Sequence, residues 1–94
     1  MKQPISRLGD STMGHGCYPP QIILEGSMNV FVEKIGVARV GDKIQPHSCH
    51  HTHPSTAAFG SMTVFVNKRP VMRVTDRADC GSIMLTGAAT VRAG

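Results

Sequence analysis

A 17-residue segment of this 94-residue chain occurs twice, and this repeat constrains the fold more than any other feature of the sequence. Residues 26–42 (GSMNVFVEKIGVARVGD) align without a gap with residues 60–76 (GSMTVFVNKRPVMRVTD), and eleven of the seventeen positions are identical. Residues 4–10 (PISRLGD) match the second half of the unit, and residues 87–91 (GAATV) match the first half. The chain therefore consists of three copies of one supersecondary unit, cut at a permuted point.

Each complete copy has the sequence pattern of a β-hairpin. Residues 30–32 and 64–66 are short runs of β-branched and aromatic residues, which favour strands. Four turn-type residues follow each run, 33–36 and 67–70, and a second strand comes after them. The unit is therefore predicted to be strand, tight turn, strand.

The second strand of each hairpin alternates with period two. In the first complete copy this alternation places Val37 and Arg39 on one face and Ala38 and Val40 on the other. No stretch has a helical period, because Pro and Gly interrupt the longer windows. We predict an all-β domain of three short hairpin repeats with pseudo-threefold symmetry. Such a body is suited to cap a true trimer, with one unit for each subunit.

Composition and charge disfavour several classes of protein. Ten Lys and Arg against six Asp and Glu give a net charge of +4, but the basic residues are scattered and do not alternate with aromatic ones. This disfavours a nucleic-acid surface. The first residues lack the apolar segment of a secretory leader, and no apolar run approaches a membrane span. We expect one domain over residues 1–94, made in the cytoplasm, with no fused effector domain.

The loops that follow the repeated aspartates, Asp10, Asp42 and Asp76, contain all five histidines and all three cysteines. We expect none of these histidines and cysteines to lie in a strand. Threefold symmetry would bring the loops together at one end. One ligand per loop and a fourth from the long middle loop would then make a tetrahedral His and Cys set suited to zinc. The predicted ligands are His15, His47, His53 and Cys80.

The surplus histidines and cysteines leave alternatives open. His50 and His51 are either exposed loop residues or replacements for His53, since spacing does not decide among the three. Cys17 and Cys49 occupy equivalent His-x-Cys positions and are either ligands of a competing set or small buried residues. The odd number of cysteines disfavours a disulfide framework. Iron is the alternative metal for a site rich in histidine.

A four-ligand site leaves no position for an activated water, so we expect a structural metal and no enzymatic activity. The three equivalent aspartates are expected to cap turns or loops. The sequence has no nucleophile-elbow, phosphate-loop or paired-carboxylate motif. Two other functions are alternatives: a small zinc-dependent hydrolase with an open site among the surplus histidines, and a zinc-stabilised nucleic-acid-binding module.

The repeats and the loops together resemble the PAAR-repeat proteins. The motif that names this family appears as residues 4–7 (PISR) and 70–73 (PVMR), and residues 36–39 (GVAR) have Gly in place of Pro. Thr75 departs from the pattern, since the other copies have Gly there. Four loop segments are also similar to the family: 14–20 (GHGCYPP), 46–49 (PHSC), 53–54 (HP) and 79–81 (DCG).

The resemblance implies a cone-shaped domain with zinc, held by three His and one Cys, at its vertex. It implies a structural protein, of which one copy caps a trimeric β-helical spike in a type VI secretion system or a contractile phage tail. The spike would be a VgrG-like protein or a phage central spike. The broad face would bind the spike through strand edges and apolar contacts.

On contraction of the tail the vertex would contact the target membrane transiently. Nucleic acid is not an expected partner, whereas effector proteins are a further class of partner. The resemblance places the protein in the cytoplasm on synthesis, and then in the assembled spike. Contraction would deliver it outside the cell, or it would be held within the virion tail.

Overall fold

The computed structural model describes residues 2–14, 18–48 and 52–94, apart from the side chains of His47, Ser48 and His53. In these ranges the chain forms strands, turns and isolated β-bridges and no helix, which confirms the all-β prediction. No helix able to cross a bilayer therefore occurs in the described part of the chain. The strands are β1 (Gln3–Pro4), β2 (Phe31–Val32), β3 (Ile35–Gly36), β4 (Lys43–Ser48), β5 (Thr52–Thr56), β6 (Phe65–Val66), β7 (Arg69–Pro70) and β8 (Arg92–Ala93).

Three of the four antiparallel strand pairs in the described part of the chain are the predicted hairpin repeats. Strand β2 pairs with β3, and β6 pairs with β7, in the two complete copies. The third pair joins the first and last strands, β1 and β8, in the equivalent register. The permuted third unit is therefore completed by segments from opposite ends of the sequence, as the repeat predicted.

The hairpin turns are tighter than predicted. Each turn has two residues, Glu33–Lys34 or Asn67–Lys68, and all four have positive φ, between 54° and 70°. Positive φ at both central positions is the signature of a type I′ turn, whose twist matches that of the flanking strands. The prediction of four-residue turns is wrong because Ile35–Gly36 and Arg69–Pro70 already belong to the returning strands.

A ring of backbone hydrogen bonds joins the three units at their common axis. Ser6 N donates to Met72 O (2.9 Å), Met72 N donates to Ala38 O (2.9 Å), and Ala38 N donates to Ser6 O (3.0 Å). Ser6, Ala38 and Met72 occupy equivalent positions of the repeat, and all are fully buried. We call these three residues the axial ring. The ring shows that the three units form one closed pseudo-threefold body.

Two hydrophobic clusters receive the alternating residues of the second strands. Val37 enters one cluster and Ala38 the other, so the predicted alternation is confirmed and both faces of the strand are buried. The hairpin cluster consists of Ile5, Val32, Val37, Val71, Ala88 and Ala93. The loop cluster consists of Ile23, Ala38, Ile44, Ala57, Met72, Ala78 and Met84.

An Arg–Asp clamp closes each unit after the second strand. In the second of the three clamps, Asp42 Oδ2 accepts from Arg39 N (2.8 Å) and Arg39 Nε (3.0 Å), and Asp42 Oδ1 accepts from Arg39 Nη2 (2.9 Å). The same three bonds recur in the other clamps, and the predicted capping role of the aspartates is thereby confirmed. The three clamps are Arg7–Asp10, Arg39–Asp42 and Arg73–Asp76.

The clamps differ in what else reaches the carboxylate. Asp42 is 2% exposed and accepts a second guanidinium, since Arg69 Nη2 lies 2.9 Å from its Oδ1. Asp76 has no second guanidinium among its described partners. Hydrogen bonding to Asp76 raises the pKa of the Arg73 guanidinium above its ordinary value, and the negative charge of Asp76 adds to this against the opposing effect of burial.

The middle loop forms the fourth strand pair, which the sequence did not predict. Strand β4 pairs with β5, and the register shifts between Ile44 and His47. Pro46 and Pro54 both lie in this shifted stretch. Proline has no backbone N–H and so cannot donate a hydrogen bond to a neighbouring strand. It is therefore found in edge strands and at irregular positions of a sheet, such as this register shift. The prediction that no histidine lies in a strand is wrong for His47 and His53.

Candidate functional site

Three buried polar residues lie next to the loop cluster at equivalent positions of the repeat. Gln21, Ser55 and Ser82 each precede a member of the loop cluster by two residues, and each is almost completely inaccessible to solvent. β-Bridges between neighbouring units hold these segments together: Ile23 with Ile44, Ala57 with Ala78, and Met84 with Thr12. The loops that carry the predicted ligands thus emerge from one layer, which we call the polar layer.

Gln21 connects the three units through this layer. Its Nε2 donates to Gln45 O (2.6 Å) and to Ser55 Oγ (3.0 Å), and its backbone N donates to Thr12 Oγ1 (3.0 Å). Ser82 Oγ donates to the same Thr12 hydroxyl at 3.2 Å. A buried amide is stable only when it is hydrogen-bonded. The two bonds from Gln21 Nε2 and the bond from Ser82 Oγ join segments distant in sequence, whereas the bond from Gln21 N to Thr12 lies within the first loop. The polar layer therefore fixes the loops relative to one another.

Cys80 lies against both the loop cluster and the polar layer. Its side chain is half-buried and packs against the cluster. Its Sγ accepts from Ser55 Oγ (3.3 Å) and donates to Gln21 Oε1 (3.9 Å). The thiol is free and forms no disulfide. Cys80 is therefore held in place by groups from the other two units.

The turn that carries Cys80 is itself anchored to strand β5. The Asp79 carboxylate accepts from Thr56 N (3.1 Å) and Thr56 Oγ1 (3.3 Å), and Asp79 N donates to Thr56 O (2.9 Å). Gly81 has φ of +95°, a conformation that side chains rarely adopt, so the turn after Cys80 requires glycine. Strand β5 thus contacts the Cys80 segment on both sides, through Ser55 and Thr56.

The ribbon of β4 and β5 places two predicted ligand positions opposite each other. The backbones of His47 and His53 are direct partners in the antiparallel register. Directly opposite positions are the closest cross-strand neighbours in such a pair. Ser55, two residues after His53, is the residue that donates to Cys80 Sγ. Three of the four predicted ligand positions therefore belong to one connected piece of structure.

The fourth predicted ligand, His15, lies outside the described residues, as do Cys17, Cys49, His50 and His51. Among the described residues no three His, Cys, Asp or Glu side chains come together in a metal-binding group. Cys80 is the predicted ligand whose side chain is described. The proposed ligand set is thus still a prediction.

The polar layer was not predicted from the sequence, although the sequence contains a signal for it. Gln21, Ser55 and Ser82 each stand five residues before a glycine that begins a repeat. Extending the alignment upstream of the repeat would have placed them at one position. Their burial was not apparent from residue type, since Gln and Ser are usually exposed.

The hairpin end of the molecule has a different surface, in which large apolar side chains are exposed. Met28 and Met62 are 93% and 90% exposed, and Phe31 and Phe65 are 57% and 55% exposed. These are two pairs of equivalent residues in the complete units. Other large apolar residues are exposed outside the hairpins, among them Phe59 (60%) and Leu85 (54%). The hairpin residues differ in that they recur at equivalent positions, and exposed apolar residues of this kind are typical of a protein-binding face. The third unit has the smaller or charged Ala89 and Arg92 at the same positions.

Two comparisons with known proteins bear on this arrangement. A family sequence model described as the PAAR motif matches residues 8–86. Among curated proteins, none matches the chain. The matched segment includes the two complete repeats, all three predicted ligand loops and two of the three residues of the axial ring.

Proposed function

The chain belongs to the PAAR-motif family, and on this premise we propose that one copy of it caps the trimeric β-helical spike of a contractile injection apparatus. The apparatus is a type VI secretion system or a contractile phage tail, and the spike is a VgrG-like protein or a phage central spike. The role is structural and involves no catalytic turnover. On this proposal the protein sharpens the spike for piercing a membrane, and effector proteins are further partners.

The observation that carries this proposal is the axial ring. Ser6, Ala38 and Met72 join three equivalent units around one axis within a single chain. A single chain of this kind can present the same element to each subunit of a trimer. One copy of this chain therefore matches one trimer.

The hairpin end is the face that we expect to meet the spike. It presents exposed Phe31 and Phe65 together with Met28 and Met62. In each hairpin the outer edge of the first strand (β2, β6 or β8) has backbone groups that a partner strand can pair with. The outer carbonyls of the returning strands, Gly36 O, Pro70 O and Pro4 O, already accept from Leu8 N, Val40 N and Val74 N of neighbouring units. Strand addition and apolar burial would together make a stable joint.

At the opposite end we propose a zinc ion held by His15, His47, His53 and Cys80, with iron as the alternative metal. The residues fit such an ion. Two of the ligand positions are opposite in the ribbon, and the thiol of Cys80 is anchored beside strand β5. Bound zinc would supply a structural cross-link between the three loops, with no open position for water.

Localisation follows from this role. The protein would be made in the cytoplasm and built into the spike there. Contraction would then deliver it outside the cell, or it would be held within the virion tail when the spike belongs to a phage. Contact with the target membrane would be transient.

The binding test is titration of the protein against the cognate spike trimer, with the mass of the complex measured by light scattering. We expect one copy per trimer. No complex, or three copies per trimer, would overturn the proposal. Binding to DNA that persists above physiological salt would favour a nucleic-acid module instead.

Metal analysis of single Ala variants tests the metal site. We expect one zinc per chain in the wild type, and loss of zinc on replacing any of the ligands named above. The His50→Ala and His51→Ala variants are matched controls and should retain zinc. Hydrolytic activity in the wild type that disappears in Cys80→Ala would instead support a zinc hydrolase.

A further inference from the structure

Three lysines occupy one equivalent position at the tips of the three hairpins. Lys34 and Lys68 are the second residues of the two type I′ turns. Lys2 precedes strand β1 in the third hairpin, at the corresponding position. In sequence the three align as KQPISRLGD, KIGVARVGD and KRPVMRVTD. The pseudo-threefold axis of the body thus relates three positive charges.

All three lysines are exposed and uncompensated. Each is exposed to solvent, and none forms an ion pair within the described ranges of the chain. Glu33, the acid next to Lys34 in sequence, is already engaged, since its carboxylate accepts from Thr90 and from Arg7. The ammonium groups are therefore available to a partner.

Lysine is an unfavourable choice in these turns. Lys34 and Lys68 have φ of 70° and 66°, in the left-handed region where glycine or asparagine is preferred. A residue with a Cβ in this region costs about 1 kcal/mol. Strain kept at equivalent surface positions points to a role of the side chain outside the fold.

We infer that these lysines pair with one acidic side chain from each subunit of a threefold-symmetric trimer. The inference rests on the proposed function and adds the chemistry of the partner's surface. Three charges related by one axis match three identical carboxylates related by the same axis. They lie on the hairpins that also expose Phe31 and Phe65, so the same contact would include apolar burial and charge pairing. The lysines would speed docking and fix its rotational register.

The experiment measures association kinetics of the full chain with the cognate spike trimer at low and physiological salt. Lys2→Gln, Lys34→Gln and Lys68→Gln are made singly and together, and Lys43→Gln is the control because Lys43 is an exposed lysine on the ribbon. A triple Lys→Arg variant keeps the charge. Steering by complementary charge raises association rates by at least about tenfold at low salt.

We therefore expect the triple Gln variant to associate about ten times more slowly at low salt, and each single variant about two times more slowly. The triple Arg variant and Lys43→Gln should match the wild type. All variants should have the thermal midpoint of the wild type or a higher one, since the three side chains make no contact that folding needs.

Wild-type binding that is insensitive to the triple Gln change, or that depends on one lysine alone, would overturn this inference and leave the proposed function intact. Failure of the wild type to bind the trimer would overturn both. Vesicles of phosphatidylcholine and phosphatidylserine form a second arm. Lysine-dependent binding to these vesicles with no lysine dependence toward the trimer would assign the charges to a membrane and not to a protein.

Discussion

The hairpin end and the loop end of this domain use the same pseudo-symmetry in opposite ways. At the hairpin end the three units have nearly the same backbone, and two have nearly the same residues. At the loop end the connecting segments 11–25, 43–59 and 77–86 differ in length and sequence, and one contains an extra ribbon. Symmetry is therefore kept where, on the proposed function, like elements would meet a trimer, and it is lost where unlike donors would meet one ion.

The boundary between the two ends is the axial ring with its Arg–Asp clamps. Each clamp joins the backbone amide of an arginine to a carboxylate three residues later, which fixes the turn that leads into a loop. The loops can then vary without disturbing the hairpins. The contrast between the two ends shows that one repeated fold can combine a symmetric surface, formed by the hairpins, with an asymmetric site, formed by the loops.

Removal of the metal should produce the largest difference in stability between the loop end and the hairpin end. The affinity of structural zinc sites in peptides corresponds to about 10–16 kcal/mol, which is comparable to the whole stability of a small domain. We expect chelation to lower the midpoint of thermal unfolding by more than about ten degrees. We also expect the amides of β4 and β5 to become exposed to hydrogen exchange first. The amides of the axial ring should exchange later. Simultaneous loss of both sets would show that the ends are not independent.

Asp42→Ala tests the frame between the two ends. It removes a buried carboxylate and leaves the guanidinium groups of Arg39 and Arg69 without their partner. We expect a loss of about 3 kcal/mol in the free energy of unfolding, measured by denaturant titration. Asp76→Ala is the matched control with one guanidinium, and it should cost about 1.5 kcal/mol less. Equal losses would mean that Arg69 adds nothing to the clamp.

Thr75→Gly should make the third clamp more like the others. Thr75 has φ of 80°, while Gly9 and Gly41 occupy the equivalent positions with φ of 88° and 93°. A β-branched residue is strained there, so glycine should stabilise the domain by about 1 kcal/mol. The reverse change, Gly41→Thr, should destabilise it. A neutral or destabilising Thr75→Gly would show that the threonine side chain has a compensating contact.

The smallest effect is expected at the equivalent residues Glu33 and Asn67, which differ in charge. Hydrogen bonds from the Thr90 hydroxyl and amide hold the pKa of the Glu33 carboxyl below its ordinary value. Desolvation opposes them, and the Ala89 amide and Arg7 lower the pKa by smaller amounts. Because the folded-state pKa is the lower one, this stabilisation is fully present above the unfolded-state pKa. It is lost as the pH falls through the folded-state pKa.

Glu33→Asn replaces Glu33 by the equivalent residue of the second unit. It should remove a small contribution to the free energy of unfolding that is present at neutral pH and lost in acid. The measurement is the midpoint of urea unfolding across the acid range, wild type against variant. The two curves should converge in acid and separate toward neutral pH. Parallel curves would show that the Glu33 carboxyl contributes no proton-linked stability.

The hairpins and the aspartate clamps could be predicted because their causes are local and recur in the sequence. The axial ring could not be predicted, since its bonds use backbone atoms only and its side chains, Ser6, Ala38 and Met72, have nothing in common. The two-residue turns were missed because Glu-Lys and Asn-Lys lack the glycine that marks a type I′ turn. In both cases contacts between distant parts of the chain determine a backbone conformation that the local sequence does not indicate.

At the candidate site the sequence indicated the residue types and the number of loops. It did not indicate the ribbon and the polar layer that position those loops. The ribbon was hidden by Pro46 and Pro54, and its register is what places the backbones of His47 and His53 opposite each other. The burial of Gln21 depends on Gln45 O and Ser55 Oγ, both contributed from the middle loop. Such partners become visible only when distant segments are brought together. The metal set itself is still a prediction.

The pairing of β1 with β8 has a consequence for how the chain folds. Ser6 bonds to Met72, and β1 pairs with β8. The pseudo-threefold body therefore closes through contacts between residues that are far apart in the sequence. Long-range closure is slow and costs loop entropy before it yields contacts. A nascent chain stalled before β8 would leave its third hairpin position vacant, which pulse-labelled hydrogen exchange of stalled chains could detect. Until synthesis passes that strand, the vacant edge could accept the same strand of a neighbouring chain, so domain-swapped assemblies are the misfolding hazard of this architecture.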